Sequence, residues 1–157
     1  MKTIELRRRV PLLPADILDR IADERTWLSE RTTVTVHSGR VEGIRLTTLT
    51  VIPPERLPAI ATRFLGAGAE LVQQVKAPPT AHDATASDLR IDAEVRGAPV
   101  DISIDIALRA AAVSGTDLHA VTRIVSSVPM FGGMVESALE PYVESLLIER
   151  LDKFGDL

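Results

Sequence analysis

The chain has 157 residues, 45% of them hydrophobic and 25% charged, with a formal net charge of −4. That balance fits a single globular domain with a real core and argues against a nucleic-acid binder, which would carry a basic face. Aromatic residues make up only 3%, too few for a platform that stacks single-stranded bases, and the absence of cysteine rules out disulfides, thiolate metal sites and cysteine nucleophiles.

Residues 3–9 read as a first strand, with Ile4 and Leu6 alternating with charged neighbours; the run Arg7–Arg9 is split by that alternation between two faces and reads as solvated. Pro11 and Pro14 break the strand. Pro14 suits the first turn of a helix to about Glu24, with Ile17, Leu18 and Ile21 on one stripe, and Trp27-Leu28 reads as a second helical turn. Thr32–His37 and Val41–Ile52, joined by Ser38-Gly39-Arg40, carry a hairpin signal. Pro53-Pro54 ends the hairpin, and residues 55–65 are weakly helical. Glu70–Lys76 is strand-like, and a polar loop over residues 77–87 follows it. The segments 89–95 and 102–108 alternate cleanly between Ile, Leu or Val and charged residues, and Leu118–Val128 is the last strand.

Met130–Asp156 reads as one long amphipathic helix. Met134, Val135, Ala138, Leu139, Tyr142, Val143, Leu146, Leu147, Leu151 and Phe154 share a broad face; Glu136, Glu140, Glu144, Glu149 and Asp152 occupy the other. Pro141 predicts a kink near Ser137–Glu140, and Pro129–Ser137, with Gly132-Gly133, is a candidate gate. Such a helix needs a large apolar surface, and only the sheet offers one. The order of elements therefore predicts an α+β fold: a curved antiparallel sheet of about six or seven strands gripping a long C-terminal helix, with a short helix pair after the first strand. One domain over 1–157 is expected. The first residues lack the apolar core of a signal peptide, and the longest uncharged run, Ile124–Val135, is too short to span a bilayer. No integral membrane association and a cytoplasmic location are the expectations.

Catalytic signatures are weak. His37 shares its face with Thr33 and Thr35 and reads as exposed. His82-Asp83 lies in a loop with no further ligand at helical spacing to complete a metal site. His119 lies on a strand whose faces sequence does not separate, and stays a candidate cavity residue. Asp92, Glu94, Arg96, Asp101, Asp105 and Arg109 read as cross-strand charge pairs on a solvated sheet face.

The order of elements, with Trp27 after the first helix pair, resembles the START-like (SRPBCC, helix-grip) superfamily. The segments LTVIPPERLPAI, VPMFGGMVESAL and ESLLIERLDKF resemble, more closely, a bacterial family of unknown function within it. The resemblance runs over essentially the whole chain. It implies a cavity between the sheet and the C-terminal helix for a lipid, polyketide or other apolar molecule, and it carries no catalytic residue or cofactor onto this chain. The candidate lining residues are Leu46, Ile91, Ile104, Leu108, Met134, Ala138 and Tyr142. Thr48 and Gln73 share parity with apolar neighbours; they either orient a ligand or serve structure, with Gln73 bonded to neighbouring backbone. Trp27 either seals one end of the cavity or is a core residue. Two alternatives to a binding module remain open. One is a cyclase or dehydratase using the pocket, favoured if His119, Gln73 and Tyr142 face one another. The other is an interaction protein with a filled core, presenting Leu49 and Val51 or forming a homodimer.

Overall fold

The computed structural model describes residues 1–57, 59, 68–128 and 130–155. Seven strands form one antiparallel sheet: β1 Lys2–Val10, β2 Thr32–Ser38, β3 Ile44–Ile52, β4 Ala69–Ala77, β5 Ala86–Arg96, β6 Val100–Ala110 and β7 Thr116–Ser126. β2 to β7 follow one another as a meander, and β1 closes on β7, giving the order β1-β7-β6-β5-β4-β3-β2. The helix α1 (Pro14–Ile21) and a 3-10 turn (Glu24–Thr26) carry the chain from the β1 edge to the β2 edge. That turn ends at Trp27, slightly ahead of the Trp27-Leu28 turn expected from sequence. The long helix α2 runs Gly132–Gly155 and continues through Pro141, which lies on its exposed side. The weak helix expected over 55–65 falls largely outside the described residues; Pro54–Arg56 form a 3-10 turn.

Alternation along the strands sends one set of side chains toward α2 and the other to water. A single register row, Leu46–Val75–Ile91–Ile104–Thr122–Ile4, crosses the inner face from β3 to β1. On the outer face the charged residues pair across strands: Arg90 and Arg123 each reach Asp105 at 2.9 and 3.0 Å, and Arg109 reaches Asp88 at 2.9 Å. These exposed pairs set register more than stability.

The sheet-facing stripe of α2 is narrower than its apolar face in sequence. Val135, Leu139, Val143, Leu147, Leu151 and Phe154 are buried, at steps of four and three. Met134 corrects the sequence expectation: it is 58% exposed, because a residue next to the stripe in sequence is turned about 100° away from it. Glu136 is the opposite correction. Expected on the polar face, it is buried at 5% exposure. Its carboxylate accepts the Ser126 backbone N–H at 2.9 Å and meets the Met1 ammonium at 2.6 Å, tying the start of α2 to the end of β7. The helix begins hard against that strand: a Cβ at Gly132 would lie 2.8 Å from the Ser126 carbonyl oxygen.

The two halves of α2 rest on different ground. Leu147, Leu151 and Phe154 pack with Ile17, Leu18, Ile21 and Trp27 over the inner strand residues, so this half of the protein is solid. The Trp27 and Phe154 rings meet edge to face at 5.8 Å, and the indole N–H donates to the Ile21 carbonyl at 2.7 Å. Among the described residues, Val135, Leu139 and Val143 pack against the sheet and the segment after β7, on Ile4, Val100, Ile124 and Val128.

Two tests follow from these contacts. Gly115 has φ +80° and a built Cβ would sit 2.6 Å from the Val10 carbonyl oxygen, whereas Gly97, at φ +85°, has open space. Gly97→Ala is expected to cost about 1–2 kcal/mol in chemical denaturation from left-handed strain alone, and Gly115→Ala clearly more, because the β1 backbone must also move. The second concerns Glu136. The Met1 ammonium first, and then the Ser126 amide, hold its carboxyl below the ordinary glutamate range. A carboxyl lowered on folding stabilises above its unfolded pKa and loses that contribution as pH falls through the folded value. Glu136→Gln is therefore expected to be less stable than wild type at neutral pH, with the gap closing on acidification when melting temperature is followed against pH.

Candidate functional site

Beneath the N-terminal half of α2 lies an apolar cavity of about 50 Å³. Ile52, Leu71, Val95, Val100 and Ile102 form its sheet wall, and Leu139, Tyr142, Val143 and Leu146 its helix wall. Its lining among the described residues carries no charged side chain, and the Tyr142 hydroxyl is its one side-chain polar group. One water needs roughly 10–15 Å³ of such space, so the cavity admits the end of an aliphatic group; a drug-sized molecule needs roughly 300–1,000 Å³.

More room adjoins it. Two overlapping clefts, of about 350 and 230 Å³, share Ile52, Tyr142 and Leu146 with the cavity and open toward Ser29, Thr50, Arg56 and Arg150. Tyr142 thus stands at the boundary between an apolar interior and a polar mouth. Burial raises the pKa of its phenol and the charge of Arg56 lowers it, with a net rise, so the hydroxyl stays a neutral donor at physiological pH. A separate depression of about 420 Å³ lies on the outer sheet face over Arg90, Asp92 and Arg123. Arg90 and Arg123 are already bonded there to Asp92 and Asp105.

No group of three or more histidines, aspartates or glutamates among the described residues comes together to hold a metal. No described helix is long and apolar enough to cross a membrane.

Residues 7–154 match the family model described as "Protein of unknown function (DUF2505)". The chain belongs to that family. Among curated proteins none matches it. Several solved structures share its fold. TTHA0849 from Thermus thermophilus superposes with a TM-score of 0.52 at 14% identity, over 98% of this chain and 91% of that one. CV1439 from Chromobacterium violaceum gives 0.51 at 18% identity, over 98% and 94%. Ara h 8.0201 gives 0.58 at 15% identity, over 98% and 95%. At these identities the likeness is one of fold: a curved antiparallel sheet with a long C-terminal helix laid across it.

Across this fold of the DUF2505 family the residues singled out from sequence scatter. Tyr142 lines the cavity and both clefts. Trp27 is 4% exposed, at once a core residue and the floor of the smaller cleft. Leu46, Ile91 and Leu108 belong to the solid half and Ile104 packs against it; none of the four lines the cavity, because α1, Trp27 and Phe154 fill the space above them. Ala138 is half-buried and, like the exposed Met134, outside the cavity lining. Thr48 and Gln73 point inward and bond each other, the Gln73 side-chain N–H donating to the Thr48 hydroxyl at 3.2 Å. Gln73 therefore bonds a side chain where a backbone partner was expected.

His119 corrects the sequence reading. The inward set on β7 is Leu118, Ala120, Thr122 and Ile124, which puts His119 on the outer face, bonded to Glu5 of β1. His119, Gln73 and Tyr142 therefore do not face one another. His37 and His82 are exposed, as expected.

The cavity residues that sequence reasoning missed, Ile52, Ala69, Leu71, Val95 and Val100, lie at strand ends beside Pro53-Pro54, Gly68 and the Gly97-Ala98-Pro99 turn. Junctions of that kind gathered at one end of a sheet were the available signal.

The Thr48–Gln73 bond yields a test of structure against function. Thr48→Val leaves the buried Gln73 amide without its acceptor and is expected to cost about 1–3 kcal/mol. The double variant Thr48→Val/Gln73→Leu is expected to recover most of that loss in urea denaturation.

Proposed function

We propose that this chain is a small-molecule binding module of the START-like superfamily, a single helix-grip domain holding one apolar ligand, lipid or polyketide-like in class, between α2 and the sheet. The observation that carries this reading is the cavity itself: an apolar space between the N-terminal half of α2 and the sheet, beyond the reach of α1, opening toward clefts large enough for the rest of a ligand. Burial of apolar surface, at roughly 25 cal/mol per Å², would supply the affinity. The fold it shares with Ara h 8.0201 is compatible with a ligand between sheet and helix.

The test uses a neutral fluorescent probe, N-phenyl-1-naphthylamine, titrated into the purified protein. Saturable binding at one site per chain is expected. Ala69→Val and Ala98→Val add methyl groups to the cavity wall and are expected to weaken binding at least tenfold while the melting temperature holds within a few degrees. A folded protein that binds no probe, or binds it equally in both variants, would overturn the proposal.

A further inference from the structure

The clefts carry charges that the cavity does not. Arg31 and Arg56 contribute from the segments flanking β2 and β3, and Arg150 and Lys153 from α2, against Glu30 and Glu149. Many arginines elsewhere are neutralised, among them Arg9 by Asp117, Arg40 by Asp19, Arg96 by Glu70 and Arg109 by Asp88, although Arg20 and exposed Arg45 also lack a carboxylate partner among the described residues. None of the four cleft cations forms an ion pair among the described residues, although the chain as a whole is acidic.

Arg150 is the most informative of the four. It is half-buried, with its guanidinium 4.3 Å from the centre of the Trp27 ring, and has no hydrogen-bond or carboxylate partner among the described residues. Burial pushes its pKa down to about 10, with the nearby Glu149 only partly opposing the shift. A guanidinium drawn out of water and given only a ring face lacks the anionic partner its planar fork is shaped to bind. Arg56, from the 3-10 turn after β3, lines the same cleft, close enough for its charge to act on the Tyr142 hydroxyl.

We infer that the ligand is an amphipathic anion, an apolar chain ending in an oxygen-bearing acid such as a carboxylate. Its head is bound by Arg150 and Arg56 in the cleft, and its tail passes Tyr142 into the cavity. The inference deepens the apolar-ligand reading and rests on it. The dimensions agree with this orientation: the cavity accepts a chain end, and the clefts of about 230 and 350 Å³ hold the remainder and the head. Glu30 and Glu149 line the mouth beside the cations and would disfavour a second negative charge on the ligand.

The experiment compares decanoate with 1-decanol, each titrated below its aggregation limit at pH 7, followed by calorimetry and by emission of the sole tryptophan, Trp27. Decanoate is expected to bind at least tenfold more tightly than decanol. Arg150→Gln and Arg56→Gln are each expected to weaken decanoate at least fivefold while leaving decanol within twofold, and Arg45→Gln, exposed on β3 outside these clefts, to change neither. Should Arg150→Gln fail to fold, Arg56→Gln decides alone. Equal binding of acid and alcohol, unaffected by the variants, would overturn the anionic head group and leave the apolar pocket standing. Binding of neither by the folded protein would overturn both.

Discussion

Trp27 is where the two ends of the chain are held together. Its indole N–H is committed to the last residue of α1, its ring edge meets Phe154 near the end of α2, and its face lies against Arg150. Because the indole bonds inward, the ring cannot turn without stranding a buried donor, so the C-terminal half of α2 has one place to rest. The other half follows as a rigid extension. It projects over strand ends that α1 does not cover, and the cavity is the space left beneath it.

This division explains why one half of the core is filled and the other contains a cavity. Alternation on β3 to β7 supplies a largely apolar inner face, interrupted by Thr48, Gln73 and Thr122, so neither end of the sheet is marked as the binding end by hydrophobicity. What distinguishes them is the position of α1. Leu46, Ile91 and Leu108 lie under α1 and Trp27, where side chains interdigitate. Leu71, Val95 and Val100 lie beyond its reach.

Much of the architecture was legible because it rests on local rules. Period-two alternation and β-rich runs located all seven strands to within a few residues; Pro11, Pro14, Pro53 and Gly132 marked boundaries; the stripe from Val135 to Phe154 identified the helix. The site was less legible, because it depends on which register row meets which turn of α2. The pairing of β1 with β7, which decides the face of His119, is a contact between distant segments that no local pattern encodes. Glu136 was misplaced for a related reason: its partner is the Ser126 amide, and a glutamate that serves another strand's backbone looks, in sequence, like any solvent-facing acid. Arg150 escaped notice in the same way, as one more charge on a helix.

The placement of β1 beside β7 also bears on how the chain reaches this fold. β2 to β7 are joined through neighbouring pairings, but Arg9 meets Asp117 across 108 residues of chain. Ordering so long a loop costs entropy that no local contact returns, so the meander and α2 can assemble while β1 is still free. Until it docks, β7 presents a full row of unpaired amides and carbonyls, the kind of edge on which chains pair with one another. The first strand is thus a cap on the last one, closing an edge that would otherwise lie open.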